Sequence, residues 1–153
     1  LIVVGTPDAE PGYAAAVRDD ITRLGLSSAV RLTGRIVEAE LRAHYAAAHV
    51  FALPSQNVGS KFEGYGLALI EASAAGLAVV GSRGCGAEDA VEDGVTGLLV
   101  PQRDPAALAA ALIELLSDAA QSAQMGAAGR IAAAARTWGA AAAHYRDHYL
   151  RLL

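Results

Sequence analysis

Short apolar runs alternate with stretches of helical pattern along this chain. The runs cover residues 1–5, 29–33, 50–53, 77–80 and 98–100. Short runs bounded by glycine, proline and polar residues, with helices between them, are typical of a parallel sheet covered by helices. We therefore predict an α/β fold, a Rossmann-like parallel sheet flanked by helices.

Proline, glycine and acidic residues mark where the helices begin and end. Pro11 suits the first turn of a helix over residues 11–24, and Gly25 lies just past its end. Asp104 is placed to cap a helix over residues 105–116. Further helices are predicted over residues 37–47, 66–75, 119–135 and from about 137 to the end, and residues 88–92 are predicted to form a short helix or a turn. The helices after Asp104 form a C-terminal helical extension.

Composition excludes several classes of protein. A net charge of -4 without a cluster of Lys and Arg argues against nucleic-acid binding. The single cysteine, Cys85, excludes an internal disulfide and favours a reducing, cytoplasmic location. No strongly apolar, uncharged stretch is long enough to predict a transmembrane helix. The chain starts without Met inside a predicted buried strand, so we expect it to be part of something longer.

A glycine-rich loop leads into an apolar helix in residues 62–71, with Glu63 at its mouth and Glu71 inside it. Gly64 and Gly66 let the backbone approach a ligand closely. The first amides of a helix lack intrahelical partners and attract phosphate. At about 1.5 Å per residue, Glu71 lies roughly 8 to 12 Å from that end, which suits a ribose. Glu63 then faces a sugar, although a solvated helical glutamate is the alternative interpretation.

Residues 62–71 resemble the Glu-x7-Glu motif of family-four retaining glycosyltransferases, the glycosyl transferases group 1. Segments 50–55, 71–80, 91–101 and 138–153 are also similar to that family, with Ala78 where proline is usual. The resemblance implies the C-terminal, donor-binding domain of a GT-B enzyme, in which two Rossmann-like domains face a cleft. Residues 1–153 would form a single nucleotide-sugar-binding domain, without the first strand-helix unit and the N-terminal acceptor domain.

The resemblance also assigns roles to residues by their position in the motif. Glu63 is the candidate catalytic residue, in contact with the donor sugar, and Glu71 accepts from ribose hydroxyls. Amides in the loop hold the diphosphate or the sugar, a turn after the second strand frames the base, and a glycine after the first strand lines the cleft floor. These donor-binding residues are Gly64, Tyr65, Gly66 and Leu67, then Gly34, Arg35 and Ile36, and lastly Gly5. Pro7 and Asp8 replace the usual second glycine of the first turn.

The implied reaction transfers a hexose-type sugar, with retention and without a metal or other cofactor, from a nucleotide-diphosphate sugar. The acceptor is a sugar, a lipid or a small molecule. Because the family's diphosphate-binding Arg and Lys and its acceptor site precede residue 1, we expect this chain alone to be inactive. Peripheral membrane association through the absent domain is left open.

Three alternatives are weaker. A GT-B epimerase or phosphorylase is one, although a phosphorylase needs a cofactor-linked lysine and Lys61 is the only lysine. A non-catalytic interaction module would not need acids beside these glycines. Glycoside hydrolysis requires carboxylates across a scissile bond, whereas Glu63 and Glu71 are predicted along one helix.

Other residues that can carry chemistry have ordinary structural interpretations beside the functional ones. His144 and His148 are spaced for a shared metal but lack a third ligand, so we predict no metal site. The remaining interpretations are surface positions for Lys61 and Arg83, a spacer or reactive thiol for Cys85, a helix cap or ligand contact for Glu88 and Asp89, and a packing anchor or sugar platform for Trp138.

Overall fold

The computed structural model describes residues 1–6 and 10–152, in two compact units, Leu1–His44 and Tyr45–Leu153. The first unit contains β1 (Ile2–Val4), α1 (Pro11–Arg23), β2 (Arg31–Gly34) and most of α2 (Glu38–Ala47). The second contains β3 (Val50–Leu53), α3 (Leu67–Ala74), β4 (Ala78–Ser82), α4 (Ala87–Ala90), β5 (Gly97–Val100), α5 (Pro105–Ser117), α6 (Ala119–Ala135) and α7 (Trp138–Leu150). The predicted alternation of strands and helices is confirmed.

All strand pairs of the described sheets are parallel. In the first unit β1 pairs with β2, and in the second unit β4 lies between β3 and β5. Leu53 at the end of β3 pairs with Gly81 of β4, and Ser82 pairs with Val100 at the end of β5. The carboxyl ends of these three strands therefore meet at one edge, where α/β proteins place their ligand-binding loops.

Strand β4 is the centre of the core because helices cover both of its faces. Side chains alternate across a strand, so Val79 joins one buried cluster while Ala78 and Val80 join another. Leu69 of α3 lies in the first cluster and Leu115 of α5 in the second. A strand that is buried on both faces has a continuous apolar sequence, and this pattern predicted strand β4.

The C-terminal helices begin at side-chain caps. Asp104 accepts a hydrogen bond from the amide of Ala107 at 2.9 Å, as predicted, and Asp118 caps α6 through the amide of Gln121 at 2.9 Å. Helix α6 lies close to the turn between α3 and β4. The approach is so close that a Cβ on Gly126 would come within 2.1 Å of the carbonyl oxygen of Gly76.

Two predictions about burial are wrong. Strand β1 is not buried, since Val3 and Val4 are each 42% exposed and the described part of the chain covers them only partly. Trp138 is not a packing anchor, because it begins α7 with 92% of its surface exposed, on a helix without buried residues.

Within residues 1–6 and 10–152, no single helix is long and apolar enough to span a membrane. Helices α5 and α6 pass such a test only as a pair, and they are bent by 100° relative to each other.

Candidate functional site

The loop before α3 is closed by the carboxylate of Glu63. One of its oxygens, Oε1, accepts from the amide of Gly66 at 2.8 Å and from the amide of Tyr65 at 3.4 Å. The other oxygen, Oε2, accepts from the Ser55 hydroxyl at 3.3 Å, just after β3. Glu63 thus lies in the loop rather than on the helix, and it ties that loop to the edge of the sheet.

Gly66 gives this loop its shape. It adopts a left-handed conformation with φ of 77°, which side-chain-bearing residues rarely adopt. It is the residue before α3, and no side chain caps the helix there; Glu63 instead accepts from the amide of Gly66 itself. Consequently the amide of Gly66, which the motif assigns to the diphosphate or the sugar, donates to Glu63 within the loop.

The amides available to a ligand lie one residue further on. In the described part of the chain, the amides of Leu67 and Ala68 donate to no acceptor, whereas those of Leu69 and Ile70 bond to the carbonyl of Gly66. Leu67 is 65% exposed and Ala68 is half-buried, and their amides form the positive end of the helix dipole. The start of α3 is therefore suited to a negative group, such as a phosphate.

The loop is supported from behind by the start of α4. The amide of Gly86 donates to the carbonyl of Glu63 at 2.9 Å. A Cβ on Gly86 would lie 2.2 Å from the carbonyl oxygen of Gly64, so only glycine allows this approach. Glu88 and Asp89 lie in the first turn of α4 and do not cap it, because Gly86 is its N-cap.

Glu71 is exposed on α3, four residues after Leu67. The axial rise between them is about 6 Å, less than the predicted distance, because the glycines before Leu67 are not helical. The Tyr45 hydroxyl donates to Glu71 Oε2 at 3.3 Å, and the Tyr45 ring packs edge-on against Phe51 with centroids 5.6 Å apart. Burial, the charge of Glu71 and this hydrogen bond raise the pKa of Tyr45 to about 12.

Arg136 supports Tyr65 from the far end of α6. Its guanidinium lies 5.9 Å from the centroid of the Tyr65 ring and donates to the carbonyl of Ala90 at 2.9 Å. Neither Arg136 nor Tyr45 belongs to a motif that predicts a functional role. Both act across more than twenty-five residues of chain, and no local pattern signals such a contact.

The base-binding candidates lie in the first unit. Gly34 ends β2 with φ of 69°, and its carbonyl accepts from the amide of Gly5 at 3.1 Å. Arg35 is exposed and Ile36 is half-buried. The structure therefore brings Gly5 and the turn 34–36 together at the ends of β1 and β2. Pro7 and Asp8 lie outside the described residues.

The other candidates take structural positions. Arg83 forms an ion pair with Asp93 at the surface, and the Cys85 thiol donates to the carbonyl of Ser82 at 3.3 Å. His144 and His148 lie on the exposed helix α7. Among the described residues, no group of three or more His, Cys, Asp or Glu is placed to hold a metal ion.

Comparison with known proteins identifies the family. Residues 1–118 match the family described as glycosyl transferases group 1. The chain belongs to this family. The predicted membership is therefore confirmed, and the chain has the Rossmann-like α/β fold of the C-terminal domain of these GT-B enzymes.

Relatives in the glycosyl transferases group 1 family act on different substrates, by their names. The chain is 39% identical over 132 residues, 85% of its length, to a GDP-mannose-dependent alpha-(1-6)-phosphatidylinositol monomannoside mannosyltransferase of Mycobacterium tuberculosis. It is 41% identical over 152 residues, 97% of its length, to a D-inositol 3-phosphate glycosyltransferase of Corynebacterium diphtheriae. These alignments cover 33% and 34% of the relatives, so the chain spans about a third of their length.

Solved structures show the same fold. Sucrose-phosphate synthase from Thermosynechococcus elongatus matches 99% of this chain with a TM-score of 0.82 and 33% identity, over 38% of its own chain. Anabaena HepE, solved with UDP-glucose, matches 99% with a TM-score of 0.81 and 25% identity, over 40% of its own chain.

Proposed function

We propose that this chain is the donor-binding part of a glycosyltransferase that moves a hexose-type sugar from a nucleotide-diphosphate sugar to an acceptor. The observation that carries the proposal is the order of groups along one loop and helix. The carboxylate of Glu63, the unbonded amides of Leu67 and Ala68, and the carboxylate of Glu71 follow one another there. They match the hydroxyls of a sugar, a diphosphate and the hydroxyls of a ribose.

Each group has a physical task in transfer. The amides at the start of α3 stabilise the negative charge that develops on the leaving diphosphate, because a helix N-terminus is preorganised for an anion. Glu71 accepts from the ribose hydroxyls, and Glu63 contacts the sugar from within the loop that it already holds in shape. The resemblance to the family assigns the turn 34–36 to the base and Gly5 to the cleft floor, and these positions are proposed on that resemblance alone.

The names of similar proteins support a nucleotide sugar as the donor class. One relative is named for GDP-mannose, and one structural neighbour was solved with UDP-glucose. Those names differ in base and sugar, so the proposal is limited to the shared diphosphate, ribose and hexose. We further propose retention of configuration, a metal-independent reaction, no resident cofactor and a cytoplasmic location. The acceptor, a sugar, lipid or small molecule, is proposed to bind outside this chain.

The test is a titration of the protein with UDP, GDP and ADP and with their hexose conjugates. Binding is monitored by changes in the NMR chemical shifts of the protein. The wild type should bind one base preferentially, with shifts at residues 63–71 and 34–36. Glu71→Ala should weaken binding at least about tenfold, because charge-assisted hydrogen bonds to the ribose are lost. Glu114→Ala, an exposed helical glutamate on α5, is the control and should bind as the wild type does. A folded wild type that binds none of these nucleotides would overturn the proposal.

A further inference from the structure

The side chain of Glu71 has a neutral hydrogen-bond partner. It accepts from the Tyr45 hydroxyl at 3.3 Å. Ion pairs are made to other acids by Arg23, Arg42, Arg83 and Arg146. An arginine could bond to both carboxylate oxygens at once. The single hydroxyl of Tyr45 bonds to Oε2 alone and leaves Oε1 of Glu71 for another donor.

Tyr45 is held in place by the core of the second unit. Its side chain is half-buried and packs against the cluster that contains Leu69 and Val79. Its ring meets that of Phe51 on β3 at an interplanar angle of 65°, a favourable edge-on arrangement. The core therefore fixes the ring of Tyr45, whose hydroxyl lies 3.3 Å from Glu71 Oε2.

Fixing Glu71 in advance has an energetic benefit. A glutamate on a helix surface samples several rotamers, and a ligand that binds only one of them must order the side chain. A partner that selects this rotamer beforehand removes part of that cost, which strengthens binding without adding a contact to the ligand.

We infer that Tyr45 is a positioning residue, which orients Glu71 so that the site recognises a ribose in preference to a deoxyribose. The inference deepens the proposed function and rests on it, because Glu71 is the group proposed to accept from the ribose hydroxyls. With a pKa of about 12, the Tyr45 hydroxyl stays protonated and remains a donor throughout the physiological range, as a tyrosine at its usual pKa also does.

A purely structural role for Tyr45 makes a different prediction. If the side chain only packs against Phe51 and the core, losing its hydroxyl should affect all nucleotides equally. If it positions Glu71, the loss should depend on whether the ligand carries the ribose hydroxyls that Glu71 accepts from.

The experiment is a thermodynamic cycle that combines one substitution in the protein with one change in the ligand and compares the binding free energies. Tyr45→Phe removes the hydroxyl and keeps the ring, and the probes are the preferred nucleoside diphosphate and its 2′,3′-dideoxy analogue, titrated by calorimetry. Tyr45→Phe should weaken binding of the ribonucleotide about three- to tenfold, the cost of ordering one long side chain on binding, and leave the dideoxy analogue unaffected. Tyr145→Phe, at a tyrosine of α7 that is 65% exposed, is the matched control and should bind both ligands as the wild type does.

The outcomes separate the two hypotheses. Equal weakening of both ligands, or no weakening of either, would overturn the positioning role while leaving the proposed function intact. A folded wild type that binds neither ligand would overturn the proposed function itself. If Tyr45→Phe does not fold, Phe51→Leu loosens the support of the Tyr45 ring and should show the same dependence on the ribose hydroxyls, to a smaller extent. If binding by Phe51→Leu does not depend on the ribose hydroxyls in this way, the result would count against the positioning role.

Discussion

The carboxylate of Glu63 lies 2.8 Å from the amide nitrogen of Gly66, three residues later in the chain. The contact closes the loop that leads into α3 and satisfies an amide in a buried residue. Glu63, which the family motif assigns to the sugar, therefore also determines the backbone conformation of the loop before α3. Ligand binding and local stability share this one side chain.

Glu63→Ala should lower the free energy of unfolding by about 1 to 3 kcal/mol, because the buried amide of Gly66 loses its acceptor. Glu63→Gln should cost less, since its amide oxygen still accepts. Urea denaturation of both variants measures the difference. Equal stability of Glu63→Ala and the wild type would show that this hydrogen bond contributes nothing to the fold.

Gly66→Ala and Gly94→Ala separate backbone strain from packing. Both glycines have φ of 77°, so an alanine at either position costs about 1 to 2 kcal/mol in left-handed strain. A Cβ at Gly66 would also lie 2.9 Å from Cδ1 of the fully buried Leu69, whereas one at Gly94 meets nothing within 4 Å. Denaturation midpoints should therefore fall further for Gly66→Ala, and identical losses would contradict a packing contribution.

Gly86→Ala should weaken nucleotide-sugar binding at least about tenfold while the protein stays folded, because displacing a site by a fraction of an ångström is costly. The φ of Gly86 is -60°, so alanine adds no backbone strain there, yet its Cβ would collide with the Gly64 carbonyl and displace the loop. Gly139→Ala is the control, since its Cβ meets only Thr137 Oγ1 at 3.8 Å. Titration with the preferred nucleotide sugar compares the two, and unchanged affinity in Gly86→Ala would contradict the role of this contact.

Tyr45 should titrate apart from the other tyrosines. Its pKa is raised in the folded protein from 10.0 to about 12, so the stability that it contributes is complete below about pH 10 and is lost as the pH rises through about 12. The tyrosinate absorbance of the wild type minus that of Tyr45→Phe should show one late-titrating group. In Glu71→Gln that group should titrate earlier, because the negative charge that opposes tyrosinate is gone, although burial still raises its pKa. The same midpoint in both proteins would show that Tyr45 and Glu71 do not interact in solution.

The positions of the secondary-structure elements followed from local chemistry. Asp104 and Pro105 at the start of α5, and the apolar run that became β4, depend on capping, on proline geometry and on burial of a strand between helices. These effects act within a few residues, which is why the sequence predicted them closely. Trp138 shows the limit of the same reasoning, because residue type alone does not say whether a neighbour covers the side chain.

The sequence by itself determined that this chain is an α/β protein with a glycine loop and two acids at the start of an apolar helix. Only the tertiary structure decided what those acids touch. Glu63 reaches Gly66 and Ser55, Glu71 accepts from Tyr45, and Gly86 supports the loop. The reason is physical: propensity and capping are local, whereas the partner of a side chain depends on which distant segments the sheet and core bring to the same edge.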